Sequence, residues 1–492
     1  MTLTAIIILK TDLFHMLSFC LLYQVRFGGD IMQSLLIALD AAGKAPLYTQ
    51  IYRHIQEEIA TGRLEAGVRL PSKRALCALL GVSQSTVETA YGMLCDEGYL
   101  ESRPKSGFYV RDLLPLSSLE AAHPAAAAHP RAQNAPRYDF STGAVDTSRF
   151  PYATWAKINR ETVYQCPHLL RQGDGQGEPG LRQALSDFLY QHRGVRCTAG
   201  QIVIGAGAEY LTDLLLSLLE GAPTVALEDP GYPVVWHTAQ RHGLPVCPIP
   251  VDGGGLSVAA LTASPADIAF VTPSHQFPMG VTMPAGRRSR LLAWASSAPG
   301  RYIVEDDYDS EYRFTSRPIP ALQGMDRGGR VVYLGTFSRG LAPAIRVAYM
   351  VLPSALLARY HSRKTFMAST VSRLEQETLR RFVEGGHYAR HLRRMSTFYR
   401  TKQQALTAAL RAIPGADISG DQAGLHFLLR LPGRDEKDLL ARALAAGITL
   451  HGLSRYAHSL PGLDGTLVLG FAGLEPGRTA EAVSLLRQAW TV

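Results

Sequence analysis

The 492-residue chain is poor in lysine, in paired cysteines and in uninterrupted apolar runs. Only eight of its 50 basic residues are lysine; the other 42 are arginine. A solvated surface tolerates that exchange. A site that needs a reactive amine does not, because a guanidinium stays protonated at physiological pH. None of the six cysteines (Cys20, Cys77, Cys95, Cys166, Cys197 and Cys247) belongs to a C-x-x-C pair. This speaks against a zinc site, so no metal is expected, and it suits reduced thiols in the cytoplasm. The apolar stretch from Thr4 to Val25 is interrupted by Lys10, Asp12 and His15. It therefore suits neither a spanning helix of about 20 apolar residues nor a signal peptide with a basic start and a small-residue end. Residues 1–31 read best as a spurious extension of the gene, with Met32 opening MQSLLIALD as the natural start. A membrane anchor and a disordered docking arm are the alternatives. No repeat of solenoid spacing is present.

What remains is an ordinary soluble composition, 46% hydrophobic and 19% charged, long enough for two or more domains. The net charge of +8 is compatible with a nucleic-acid partner but does not require one.

Residues 44–111 form one compact unit. Ile51, Ile55 and Ile59 recur at every fourth position and predict an amphipathic helix. Ser72 is placed to cap a second helix that buries Leu76, Leu79 and Leu80, and Gly81-Val82 makes a turn. Ser83 or Ser85 caps a third helix with an apolar stripe of Val87, Tyr91 and Leu94; Ser85 with Glu88 has capping-box spacing. ESRPKSGFYV then reads as a hairpin wing. Two helices joined by a short turn match helix-turn-helix geometry, in which the later helix enters the major groove. Its outward residues, Ser83, Gln84, Ser85 and Thr86, are the candidate readers of base edges. Arg69, Lys73, Arg74, Arg103 and Lys105 are the candidate phosphate contacts, and Ser72 is a further candidate DNA contact. Nine basic against seven acidic residues make the unit only mildly basic, so charge alone leaves a plain packing module equally open.

Residues 112–136, rich in Ala, Pro and His, read as an interdomain linker. From Arg137 onward strands and helices alternate: IVIGAG, TVALEDP, VCPIPV, IAFVTPS, YIVEDDY and VVYLGTFS are short β-rich runs. They predict an α/β sandwich with a mostly parallel sheet over about 137–360. A helical stretch and a smaller α+β part over about 361–492 complete the domain. EDDYDSEYRF, Glu305 to Phe314, packs carboxylates onto a strand end, where ligands of open α/β sheets gather. A solvated loop or a cation site would look the same.

Residues 70–110, LPSKRALCALLGVSQSTVETAYGMLCDEGYLESRPKSGFYV, resemble the winged helix-turn-helix of the GntR family. The series GDGQGEPGLRQAL, EDPGYP, TPSHQFPMGVTMP, VEDDYDSEYRF, LGTFSRGLAPAIR and RHLRRMSTFYR resembles, in order, the MocR/GabR-type regulators. These join such a reader to a fold-type I aminotransferase-like domain that uses pyridoxal phosphate. The similarity runs from about Leu36 to the C-terminus and implies a multidomain protein: a winged helix-turn-helix, then an α/β transferase-like domain with a smaller α+β part. Gln84 sits where relatives often carry arginine, which puts a shared operator in doubt.

Residue by residue, the resemblance implies that Asp306 pairs with the pyridine nitrogen and Tyr308 with the ring hydroxyl. Tyr232 stacks on the ring. Ser338 and Arg346 hold the phosphate, helped by the amides of Gly207 and Ala208 at a helix start. Phe277 stands where aminotransferases often have an asparagine, leaving His275 or Gln276 to serve that side. Arg339 stands at the position of the lysine that bonds to the coenzyme aldehyde, and a guanidinium cannot take that part. Lys157, Lys364, Lys402 and Lys437 lie away from the motifs and offer no replacement. The implied protein is a cytoplasmic DNA-binding regulator without transamination. Coenzyme binding would be non-covalent if it occurs, and a small anionic effector is possible. Its partners would be double-stranded promoter DNA and a second copy in a head-to-tail homodimer, with no membrane. An active aminotransferase and a purely dimeric scaffold are the competing readings.

Overall fold

The computed structural model describes residues 35, 37–40, 43–112, 136–314, 319–363, 367–458, 465–475 and 477–490. The extension 1–31, most of the linker, Cys20 and Lys364 lie outside the described residues. Two compact units divide between Gln133 and Asn134.

In the first unit, helices Leu47–Ala60, Lys73–Leu80 and Gln84–Asp96 pack with a three-stranded antiparallel sheet. Its strands are Arg69–Leu70, Gly107–Val110 and Leu100–Arg103, in that order. The fourfold spacing of Ile51, Ile55 and Ile59 puts all three into one core with Leu76, Val87, Tyr91 and Leu94. The Tyr91 hydroxyl donates to the Pro71 carbonyl (3.0 Å), pinning the entry of the second helix. That helix is capped by Ser72, whose oxygen accepts from Ala75 N, and it ends at Gly81 in the left-handed region (φ 68°). The third helix is capped by Ser83, which accepts from Thr86 N (3.2 Å). The capping box expected between Ser85 and Glu88 is not formed. Ser85 lies inside the helix, and Glu88 instead ion-pairs with Lys73 across the turn.

The second unit is built on an eight-stranded sheet. Its order is Ile202–Gly205, Ala348–Val351, Val331–Thr336, Tyr302–Asp307, Ile268–Val271, Val225–Asp229, Val246–Asp252 and Gly255–Leu256. The five strands from Val331–Thr336 to Val246–Asp252 pair in parallel. Ala348–Val351 runs antiparallel to both its neighbours. Side chains of a strand alternate between faces: Val304 and Val332 enter one core, Ile303 and Val331 the other.

The same alternation sorts the three successive acids. Glu305 is buried against the amides of Leu322 and Gln323, each at 2.8 Å. Asp307 forms a buried pair with Arg193 (2.8 and 3.1 Å) and accepts from Tyr333. Asp306, between them, faces the other way, towards the ends of the parallel strands.

A smaller antiparallel sheet joins Asp417–Ser419, His426–Arg430, Thr466–Gly470 and His451–Gly452. One expected boundary is corrected here. The segment after Arg137, assigned to the large part, is stitched to the small one. Tyr138–Asp139 pairs with Ile448–Thr449, Phe140 N donates to Thr449 O (2.8 Å), and Gly470 N donates to Phe140 O (2.7 Å). Among the described residues no helix is long and apolar enough to cross a membrane.

Candidate ligand cavity and nucleic-acid face

The parallel strands end around one cavity of about 240 Å³. Each wall follows from its place just beyond a strand: Ala208 and Glu209 after Ile202–Gly205, Tyr232 after Val225–Asp229, Thr272 after Ile268–Val271. Asp306 and Tyr308 come from the end of Tyr302–Asp307, and Thr336, Ser338 and Arg339 from the end of Val331–Thr336. Pro343 and Arg346 follow, with Phe277 opposite and Thr142 and Gly143 from the segment stitched to the small part. Of the residues singled out in the sequence, Asp306, Tyr308, Tyr232, Ala208, Ser338, Arg339 and Arg346 thus share one cavity.

Gly207 and His275 do not line it. The Gly207 amide donates to the Gly205 carbonyl (2.8 Å) and is spent there, a correction to its expected use on an anion. What Gly207 supplies is clearance at φ 97°: a Cβ would lie 2.6 Å from the Arg346 guanidinium. His275 is turned away into the protein, its Nδ1 3.1 Å from both Asp309 carboxylate oxygens. It meets the cavity only through Tyr308, whose hydroxyl lies 3.0 Å from the His275 carbonyl and from Nδ1. Gln276 is likewise spent, on Glu228, Pro230 and its own loop.

The cavity has an acidic and a basic side. The Asp306 carboxylate receives no hydrogen bond or ion pair among the described residues. Burial pushes it up to about 7, with the charges of Asp307 and Asp309 adding and Arg339 opposing. Behind it, Glu228 accepts from Thr272 N, Thr272 Oγ1 and Gln276 Nε2 through one oxygen, while the other has no partner. Burial raises Glu228 to about 7, against the pull of those hydrogen bonds. Across the cavity Arg346 pairs with Glu209 (3.0 Å). Arg339 donates to the Thr142 carbonyl and forms no ion pair among the described residues. No described lysine lines the cavity. Lys402, the buried one, donates to the Ala472 carbonyl (2.7 Å) beside Asp146.

Glu228 gives a pH-dependent expectation. Its folded value lies above the ordinary 4.5. Below that ordinary value both folded and unfolded states are protonated and burial costs little; above about 7 both are ionised and the folded state carries a buried charge. Its contribution to stability therefore falls as pH rises through that window. Glu228→Gln should melt higher than the native protein at pH 8, with the difference fading towards pH 5. A difference independent of pH would refute the assignment.

Thr142, Gly143, Thr272, Thr336, Glu209 and Glu228 escaped the sequence reading. Thr272, Thr336 and Glu228 lie within motifs quoted from the sequence but were given no role there; Thr142, Gly143 and Glu209 lie outside them. Thr336 could have been found, because it starts the short turn holding Ser338 and Arg339 and accepts from Ser338 N (3.1 Å).

In the first unit, Ser83, Gln84 and Ser85 are exposed at the start of the third helix and Thr86 is half-buried beside them. Ser83 binds both the Ser85 and Thr86 hydroxyls (2.9 and 2.8 Å). Arg69, Arg74 and Lys105 are exposed without an ion pair among the described residues. Lys73 and Arg103 are already held, by Glu88 and Glu101 respectively. Lys105 occupies the turn of the wing with φ 59°.

A winged helix-turn-helix and a transferase-type α/β domain with its cavity at the strand ends define a two-part regulator. Comparison with known proteins agrees. Residues 47–110 match the family of bacterial regulatory proteins of the gntR type. Residues 137–485 match aminotransferase class I and II. The chain belongs to the MocR-type HTH-type transcriptional regulators. It is similar to an uncharacterized HTH-type transcriptional regulator of Bacillus subtilis, YdeL, at 38% identity over 91% of this chain and 97% of the other. It is similar to the probable rhizopine catabolism regulatory protein MocR of Rhizobium meliloti, at 34% over 92% and 96%. It is also similar to the pyridoxine biosynthesis transcriptional regulator PdxR of Corynebacterium glutamicum, at 32% over 90% and 95%. Among solved structures, kynurenine aminotransferase from Pyrococcus horikoshii superposes with a TM-score of 0.63 at 25% identity, over 71% of this chain and 90% of that one.

Proposed function

We propose that this regulator binds promoter DNA through residues 44–111 and carries, beyond the linker 112–136, an effector domain that holds a ring-and-phosphate ligand without transaminating it. The observation that carries this reading is the chemistry of the cavity. A carboxylate without a donor, Asp306, shares the cavity with two guanidiniums, and no described amine lines the walls. The family implies pyridoxal phosphate, and the non-covalent contacts suit it. Asp306 would meet a protonated ring nitrogen, Tyr308 a ring hydroxyl and Tyr232 the ring face. Ser338 and Arg346 would take the phosphate. When bound in an enzyme, that group supplies an electron sink for bonds at an amino-acid carbon. Using it needs an amine that bonds to the ligand and shuttles a proton, and Arg339, which we place at the family's lysine position, provides neither. The domain is therefore assigned to sensing and to assembling a head-to-tail homodimer in the cytoplasm, with DNA half-sites spaced to match the two readers.

The test is DNA binding by the full chain. With Arg69, Lys73, Arg74, Arg103 and Lys105 on phosphates, raising salt from about 50 to 200 mM should weaken one reader's contact roughly 10²- to 10³-fold, since each neutralised phosphate contributes a slope of about 0.9. Gln84→Ala should cost about 1–3 kcal/mol on the cognate fragment and far less on unrelated DNA. Binding indifferent to both salt and sequence would end this reading.

A further inference from the structure

The two guanidiniums of the cavity are not in the same condition. Arg346 reaches the cavity from a half-exposed position and already has a counter-charge in Glu209, 3.0 Å away. Arg339 is half-buried, binds the Thr142 carbonyl and has no carboxylate partner among the described residues. Asp306, which lines the same cavity and feels the Arg339 charge, also has no hydrogen-bond or ion-pair partner among the described residues, so the cavity keeps one negative and one positive group apart rather than joined. Withdrawing a charge from water is unfavourable unless something of opposite sign replaces the water. A planar guanidinium is best matched by a planar, two-oxygen anion, which it binds through two parallel hydrogen bonds. An aldehyde offers Arg339 one neutral acceptor and no bond to form.

We propose that the ligand is a heteroaromatic acid rather than an aldehyde. Its ring nitrogen meets Asp306, one oxyanion is held by Arg346 and Ser338, and a ring carboxylate is held by Arg339. This rests on the ring-and-phosphate reading above and adds to it the oxidation level of the ligand. The regulator then responds to the acid left when the coenzyme's aldehyde carbon is oxidised, not to the reactive coenzyme itself. The class of reaction that supplies the effector is the two-electron oxidation of an aromatic aldehyde to its acid by a separate enzyme, with a nicotinamide-type acceptor taking the hydride and water giving the second oxygen.

Calorimetry on the full chain with two probes tests this: pyridoxal 5′-phosphate and the same molecule with a carboxylate in place of its aldehyde. The carboxylate is expected to bind roughly 10- to 100-fold more tightly, the range for hydrogen bonds to a charged partner. Arg339→Gln keeps a polar side chain of similar length but loses the charge, so it should bring the two affinities together. Arg346→Gln should weaken both probes and leave their ratio intact. Thermal melting without ligand verifies that both variants are folded. Equal affinities in the native protein, or a preference that survives Arg339→Gln, overturn the proposal while the ring-and-phosphate reading stands. Failure of both probes to bind overturns both.

Discussion

Arg339→Lys is expected to capture pyridoxal phosphate covalently, and the native chain is expected not to. Borohydride reduction followed by mass spectrometry should find the coenzyme's mass on the peptide containing position 339 of the variant and on no peptide of the native protein. The effect is all-or-none because it depends on a lone pair. An amine loses its proton and attacks a carbonyl carbon; a guanidinium has no such state in the physiological range. The surroundings suit an amine at this position. Position 339 lies in the short helix Phe337–Gly340, whose start is fixed by Thr336, and it shares the cavity with Asp306, Tyr308 and Tyr232. Reduction of the untouched protein with a labelled lysine anywhere would show that another amine serves. Lys402 is the one to inspect: burial lowers it to about 8, although Asp146 opposes the shift.

The second large effect concerns the support beneath the cavity. Arg193→Met is expected to destabilise the aminotransferase-like domain by about 3–5 kcal/mol, the cost of leaving one member of a buried ion pair alone. Arg193 and Asp307 are almost fully shielded, 4% and 2% exposed. The guanidinium also binds Ser274 Oγ (2.8 Å) and the Ile319 carbonyl, tying three segments together. Denaturant unfolding followed by tryptophan fluorescence measures the loss. Adding Asp307→Asn should return part of it, because the stranded charge goes with its partner. A single variant as stable as the native protein would mean that the pair contributes nothing.

Much of this architecture could be read from residue patterns. The isoleucine spacing in 51–59 gave the first helix, and the β-rich runs gave most of the parallel strands, because alternation and periodicity are local properties. Ala348–Val351 went unread, since its apolar residues follow the AIR of a motif and nothing local says that the strand reverses direction. The choice between Ser83 and Ser85 as cap was left open because both hydroxyls satisfy the spacing; the Lys73–Glu88 pair shows why Glu88 was not free to close the box. The cavity was legible where chemistry is concentrated, as at Asp306, Tyr308 and Arg339. It was not legible at Thr142 and Gly143, which arrive through the long-range pairing of Tyr138–Asp139 with Ile448–Thr449. His275 lay beside the right residues in the chain, but Asp309 draws its ring away from the cavity.

That pairing has a mechanical corollary. The strand seam that fastens residues 138–140 to the α+β portion places the wall at Thr142 a few positions from the outgoing tether. A guest that presses on this wall therefore presses on a segment held by backbone hydrogen bonds to the smaller part, through Thr449 and Gly470.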